Sequence, residues 1–134
     1  MHMIKAEIGF RLGQDLPAAG QPYEAATVRP ALATVFDAIE VADSRYQEWA
    51  AIGPAQLIAD NSSDGFWVYG EKFGDMDSLD PADHPVRVRR NGAWAERGRS
   101  AKVLDYPLNV VAWLANHLVA RGTCPKTGEL LTTG

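Results

Sequence analysis

The sequence predicts an α+β fold, and three observations carry that prediction. Residues Ile4–Leu12 alternate apolar and polar side chains at a period of two, as a half-buried strand does. Residues 106–122, YPLNVVAWLANHLVARG, place apolar side chains at 108, 111, 114, 115 and 118, the stripe of an amphipathic helix. Between these two segments, short aromatic and β-branched runs are separated by clusters of Gly, Pro, Asn and Asp. The 134 residues suffice for one domain with a real core, 1–134, and are too few for two.

In the first strand Ile4, Ala6, Ile8, Phe10 and Leu12 share one face, and Lys5, Glu7, Gly9 and Arg11 share the other. Residues 13–23 are rich in Gly and Pro and read as a loop. Thr27 reads as an N-cap, followed by a helix with Pro30 in its first turn and Val28, Leu32, Val35 and Phe36 along one face. Residues 37–44 return to extended spacing, with Ile39 and Val41 opposite Ala38, Glu40 and Ala42. A short helix is expected over 44–51, and the turn formers of 58–65 lead into a buried strand, FWVYG (66–70). An acidic loop over 71–85 precedes a hairpin over 86–96, whose Asn91-Gly92 pair suits a type I′ turn. Pro107 starts the final helix, Gly122 ends it, and GELLTTG reads as the start of one more strand.

Composition narrows the function. A formal charge of −4 argues against a nucleic-acid backbone as a general partner. The single cysteine, Cys124, excludes an intrachain disulfide and fits a cytoplasmic protein. No apolar run approaches the roughly 20 residues that span a bilayer, so no membrane partner is expected. G-x-S-x-G, P-loop and dinucleotide fingerprints are missing, and His84, His117 and Cys124 have no partners at metal-ligand spacing. Asp75–Asp80 follows a calcium loop for three residues only. Leu79, Asp80 and Val86 stand where that loop needs an oxygen ligand, a glycine and a glutamate, so the stretch reads as a solvated acidic loop. Arg87, Arg89 and Arg90, near Trp94, read as the solvated face of the hairpin.

Two carboxylates remain, Glu7 and Glu40. Each sits on the strand face opposite the bulky apolar residues and beside small neighbours, Gly9 for one and Ala38 and Ala42 for the other. Such spacing leaves room for a hard, oxygen-seeking cation such as Mg²⁺ or Mn²⁺. It equally describes two solvated glutamates on exposed faces.

Several segments, in order and spacing, carry a resemblance that covers nearly the whole chain. They are KAEIGFRLGQDLP, AIEVADSRY, IADNSSDGFWVYG, RRNGAWAERG, and YPLNVVAWLANHLVARG followed by GELLTTG. Together they resemble the 2-keto-4-pentenoate hydratase and 4-oxalocrotonate decarboxylase family, part of the fumarylacetoacetate hydrolase superfamily. The resemblance implies a mixed, strongly bent sheet, the β-roll of that superfamily's C-terminal domain, with the long C-terminal helix packed on it. It implies the central part of the catalytic domain, truncated at both ends, in a homo-oligomer. A preceding segment that supplies an acid–base lysine in the family has no counterpart in these residues.

Family members are divalent-metal-dependent lyases that hydrate or decarboxylate small 2-oxo acids of aromatic meta-cleavage degradation. Their Mg²⁺ or Mn²⁺ is held by a Glu-x-Glu pair and a later Ile-Glu. Glu7 matches the second ligand and Glu40 the third, while Lys5 stands at the first. Asp60 and Asn61, in the ADN turn, match a segment near the substrate. Two expectations follow from the resemblance. One is a metal-dependent lyase, with Glu7 and Glu40 holding the ion. The other is a catalytically silent oligomeric binding or structural module without a metal cofactor, its site filled by a Lys5–Glu7–Glu40 cluster, because an ammonium offers a cation no lone pair.

Overall fold

The alternation of Ile4–Leu12 folds as a long strand, β1 (His2–Leu12), in the computed structural model, which describes residues 2–74, 76 and 80–134. β1 pairs antiparallel along its whole length with β2 (Leu32–Asp43), which pairs antiparallel with β3 (Asp64–Gly74). β4 (Pro85–Arg90) and β5 (Ala93–Arg99) form a separate hairpin. A short strand, β6 (Leu130–Thr132), joins the free edge of β1 and completes the order β3-β2-β1-β6. The expected mixed sheet is thus corrected: among the described residues every pairing is antiparallel. Neighbours β1, β2 and β3 follow one another directly, without the crossover that parallel pairing needs. Register shifts at Arg11/Leu12, Val35/Phe36, Phe36/Ala38 and Val41/Ala42 bend the strands, and the sheet curls into a half-barrel.

Among the described residues three α-helices accompany the sheet: α1 (Ala25–Val28), α2 (Pro54–Ala59) and α3 (Pro107–Val119). α3 starts at Pro107, where the missing N–H is harmless, and lays Leu108, Val111, Ala112 and Ala115 against Ile8, Phe10, Leu12 and Val35. The helix expected from Thr27 to Phe36 ends early. α1 gives way to a 3₁₀ turn at Arg29–Ala31, and Leu32 already belongs to β2. Thr27 is the third residue of α1 rather than its cap, and its hydroxyl accepts the Glu24 backbone N–H at 2.8 Å. The strand wins because Val35 and Phe36 are adjacent and both buried, at 0% and 3% exposure. On a strand they face opposite sides, Val35 toward α3 and Phe36 onto Trp67 and Tyr69.

Other local readings shift as well. The helix expected over 44–51 shrinks to a 3₁₀ turn at Trp49–Ala51, and α2 follows, begun by Pro54. The strand expected over 66–70 runs longer, and it is not buried: Phe66 and Val68 are 68% and 58% exposed. They share a face with Ile4 and Ile39, also exposed, because α3 covers only the opposite end of that face. The hairpin matches its prediction, with Asn91 and Gly92 at φ +52° and +81°, as a type I′ turn requires. In the acidic loop Asp75, Asp77, Ser78 and Leu79 lie outside the described residues, and Met76 is buried in the core.

Gly9 on β1 lies opposite Phe36 on the neighbouring strand β2, and the Phe36 ring packs over it. A Cβ there would lie 2.1 Å from Cε2 of Phe36, a ring already held by Trp67 and Tyr69. Gly9→Ala is expected to lower unfolding stability by about 1–3 kcal/mol in urea titration. Gly98→Ala, where nothing lies within 4 Å of the new methyl, should change it by less than about 1 kcal/mol.

Candidate site at the Lys5–Glu7–Glu40 cluster

The β1–β2 register places Lys5 directly opposite Glu40 and Glu7 opposite Ala38. Period-two geometry then sends Lys5, Glu7 and Glu40 to one face, with Ala38 leaving space between them. Lys5 Nζ lies 2.6 Å from Glu40 Oε2 and 3.9 Å from Glu7 Oε1, so one ammonium bridges two carboxylates. Glu7 is only 5% exposed, whereas the Lys5 side chain keeps 39% of its surface in water.

The sheet supplies the rest of the surroundings. The hydroxyl of Thr132, on β6, donates to Glu7 Oε2, and the Gly134 backbone N–H also faces that carboxyl. Among the described residues, Glu7 Oε1 is buried without a hydrogen-bond partner, as is Trp67 Nε1 on β3. Trp67 sits opposite Glu40 in the β2–β3 register and packs with Phe36 and Tyr69, their ring centroids 5.3–5.8 Å apart. A cavity of about 120 Å³ opens beside Lys5 and Glu40, lined further by Ser44, Trp49, Ser62 and Ser63.

These contacts separate the two carboxyls electrostatically. Burial first, then the hydrogen bond and charge of Glu40, push Glu7 from its ordinary 4.5 up to about 7, against the pull of Lys5 and Gly134. Burial also works to raise Glu40, but hydrogen bonds from Lys5 and Glu7 and the Lys5 charge outweigh it, and its pKa lies below the ordinary value. The pair therefore holds one proton, on Glu7, up to about neutral pH. The cluster is then close to electrically neutral, with one ammonium, one carboxylate and one carboxylic acid.

The structure brings Lys5, Glu7 and Glu40 together and places Asp60 and Asn61 elsewhere. Asp60, 2% exposed, accepts hydrogen bonds from the Ser44 hydroxyl at 2.6 Å, the Ser63 hydroxyl at 3.2 Å and the Arg45 backbone N–H. Arg45 Nη1 also pairs with its carboxylate at 3.2 Å. The Ser44 hydrogen bond, followed by those of Arg45 and Ser63, outweighs burial and holds the Asp60 pKa below its ordinary value. Asn61 is exposed and donates to Asp64 at 3.2 Å. Asp60 thus anchors a strained loop in which Asn61, Ser62 and Ser63 all take positive φ, of 51°, 58° and 59°. The cavity is reached by Ser62 and Ser63 of this loop, while Asp60 points inward to its anchors.

Sequence reasoning did not find Thr132, Trp67 or the serines. Thr132 meets Glu7 across 125 residues of chain, a pairing that no local pattern announces. The residues after DN in IADNSSDG carried a turn signal, which could have marked Ser62 and Ser63 as loop residues beside the strand end.

Glu7 makes stability depend on pH in a calculable direction. Its folded-state pKa is raised, so its contribution is fully present below about pH 4.5 and is lost as pH rises to about 7. Glu7→Gln removes that loss. In urea titrations the variant is expected to gain on the wild type between pH 4.5 and 7, by about 2–3 kcal/mol at the upper end. A gap that does not change with pH would contradict the assignment of the proton to Glu7.

No family model matches this chain. Among curated proteins, it is 37% identical over 130 residues to 2-hydroxyhexa-2,4-dienoate hydratase of Comamonas testosteroni, which covers 97% of this chain and 48% of the relative. It is 34% identical over 131 residues to 2-keto-4-pentenoate hydratase of Burkholderia vietnamiensis, covering 98% of this chain and 49% of that one. Among solved structures, 4-oxalocrotonate decarboxylase from Pseudomonas putida G7, complexed with magnesium and adipate, superposes with a TM-score of 0.82 at 31% identity. That match covers 100% of this chain and 50% of the decarboxylase. The same enzyme complexed with calcium and acetate gives a TM-score of 0.79. The chain spans about half the length of the curated relatives it matches. In sequence and in fold, the chain is similar over nearly its whole length to 2-keto-4-pentenoate hydratases and to 4-oxalocrotonate decarboxylase.

Proposed function

We infer that this chain is a relative of lyases acting on small 2-oxo acids of aromatic meta-cleavage degradation, in which a Lys5–Glu7–Glu40 cluster replaces the metal centre. In this reading it serves as a catalytically silent, oligomeric binding or structural module. The observation that carries the inference is the Lys5 ammonium, 2.6 Å from Glu40 and 3.9 Å from Glu7. Divalent cations need several oxygen donors, and among the described residues no three His, Cys, Asp or Glu side chains come together. An ammonium between the two carboxylates also repels a cation and offers it no lone pair. The residues present do not fit the metal, and no metal-dependent step is assigned to them.

A small 2-oxo acid would reach Lys5 through the cavity lined by Ser44, Ser62 and Ser63, with Asp60 and Asn61 shaping the loop beside it. The curled sheet is read as part of the superfamily's β-roll, and residues 1–134 as one domain from the centre of the catalytic domain. A homo-oligomer would cover the exposed Ile4, Phe66 and Val68 and the part of the β1 edge that β6 leaves free. The reading places the protein in the cytoplasm, and no helix among the described residues is long and apolar enough to cross a membrane.

One observation favours the alternative, a working lyase with Mg²⁺ or Mn²⁺ on Glu7 and Glu40. Glu7 Oε1 is buried with no hydrogen-bond partner, and an ion would satisfy it.

One pair of measurements separates the readings. Wild type and Lys5→Glu are incubated with 2-hydroxypenta-2,4-dienoate and Mg²⁺, and their melting temperatures are recorded with and without Mn²⁺. The expectation is no turnover and no Mn²⁺-induced shift for the wild type. Lys5→Glu should melt several degrees higher with Mn²⁺, since a ligand at a hundredfold excess over its Kd adds about 2.7 kcal/mol. Turnover by the wild type, or its stabilisation by Mn²⁺, refutes the silent reading.

A further inference from the structure

The β4–β5 hairpin concentrates positive charge in an otherwise acidic chain. Residues 85–102 hold six of the thirteen Lys and Arg side chains and one acidic residue, Glu96. The segment thus carries a formal +5, and the rest of the chain −9. Register decides where that charge goes. Arg87 pairs with Arg97 and Arg89 with Trp94, because a bulge between Val88 and Arg89 brings Trp94 onto the arginine face. The opposite face carries Val86, Val88, Glu96 and Gly98.

On the arginine face three guanidinium groups gather around one indole. The Arg89 guanidinium lies 3.9 Å from the Trp94 ring centroid, with Arg97 at 5.8 Å and Arg87 at 5.9 Å. Trp94 is 48% exposed, so this arrangement faces water. Beside it, Arg87, Arg97, Arg99 and Lys102 line a cavity of about 390 Å³. Arg99 is paired with Asp83, but Arg87, Arg89, Arg97 and Lys102 have no carboxylate partner among the described residues. Converging cations without counter-charges repel one another, and the cation–π contacts hold them in place. Guanidinium forks fixed around a concavity suit oxyanions, which they bind through paired hydrogen bonds.

We propose that this hairpin face is a binding site for a compact oxyanion carrying two or more negative charges, of the polycarboxylate or phosphorylated small-molecule class. Compactness follows from the charge map. A short anion fits within the cationic cavity, whereas a long polyanion would run on over a surface that carries the remaining −9. The site shares no residue with the Lys5 cluster, although Glu7 lines a neighbouring cavity together with Arg89, Arg97 and Lys102, and the proposal does not rest on the function read for that cluster.

Calorimetric titration of the full chain with citrate and with inorganic pyrophosphate tests the proposal, and the tighter of the two identifies the class. The expected result is one-to-one binding that weakens at least tenfold in Arg87→Gln/Arg97→Gln and is unchanged in Lys5→Gln. Arg87→Lys/Arg97→Lys, which keeps the charge but loses the forks, should fall between wild type and the glutamine variant. Arg87 and Arg97 are both exposed, and circular dichroism verifies that the fold persists. Failure of both anions to bind, binding that the double glutamine variant does not alter, or binding lost in Lys5→Gln overturns the proposal. So does acetate binding as tightly as citrate. Tighter binding of a single-stranded oligonucleotide would overturn it in favour of nucleic acid, and a salt-sensitive dimer abolished by the double variant in favour of a second copy.

Discussion

The β1–β2 register is the constraint on which the rest of the structure depends. It sets Lys5 opposite Glu40, Gly9 opposite Phe36 and Phe10 opposite Val35. A slip of one residue would send Lys5 and Glu7 to the α3 side of the sheet and expose Phe10 to the other face. The register is held by burial at one end, where Ile8, Phe10 and Leu12 pack beneath α3, and by the absence of a Cβ at Gly9, into whose space the Phe36 ring fits. A single alignment thus serves both the core and the charged cluster.

Within the cluster, burial and pairing act on two chemically identical groups in opposite ways. Glu7 is enclosed by Ala38, Thr132 and the strand backbone and keeps its proton to about pH 7. Glu40 takes the shorter contact with Lys5 and stays ionised. Solved relatives of similar fold were complexed with magnesium or calcium, whereas this chain presents one ammonium in the same strand context as its two glutamates. A buried Glu7 that keeps its proton needs no ion to be neutral, and its remaining cost is one oxygen, Oε1, unpaired among the described residues.

Burial is uneven along the sheet. α3 closes one end of a face, while Ile4, Ile39, Phe66 and Val68 stay exposed at the other end. An antiparallel sheet can carry one face packed and part of it open in this way. Charge is equally uneven, gathered as cations on the hairpin and as acids elsewhere.

By itself the sequence determined the α+β class, β1, the hairpin turn, α3 and the membership of Lys5, Glu7 and Glu40 in one strand-face group. These are local: period-two and helical spacing and the Asn91-Gly92 turn need only neighbouring residues. It misread 32–36 as helix, because Val28, Leu32, Val35 and Phe36 satisfy helical spacing, and only pairing with β1 makes the strand preferable. Tertiary structure alone decided that the sheet is antiparallel, that Thr132 reaches Glu7, that Asp60 anchors a loop and that three arginines meet at Trp94. Each of those outcomes depends on register between distant segments, and register is chosen by the burial of whole faces rather than by any short run of residues.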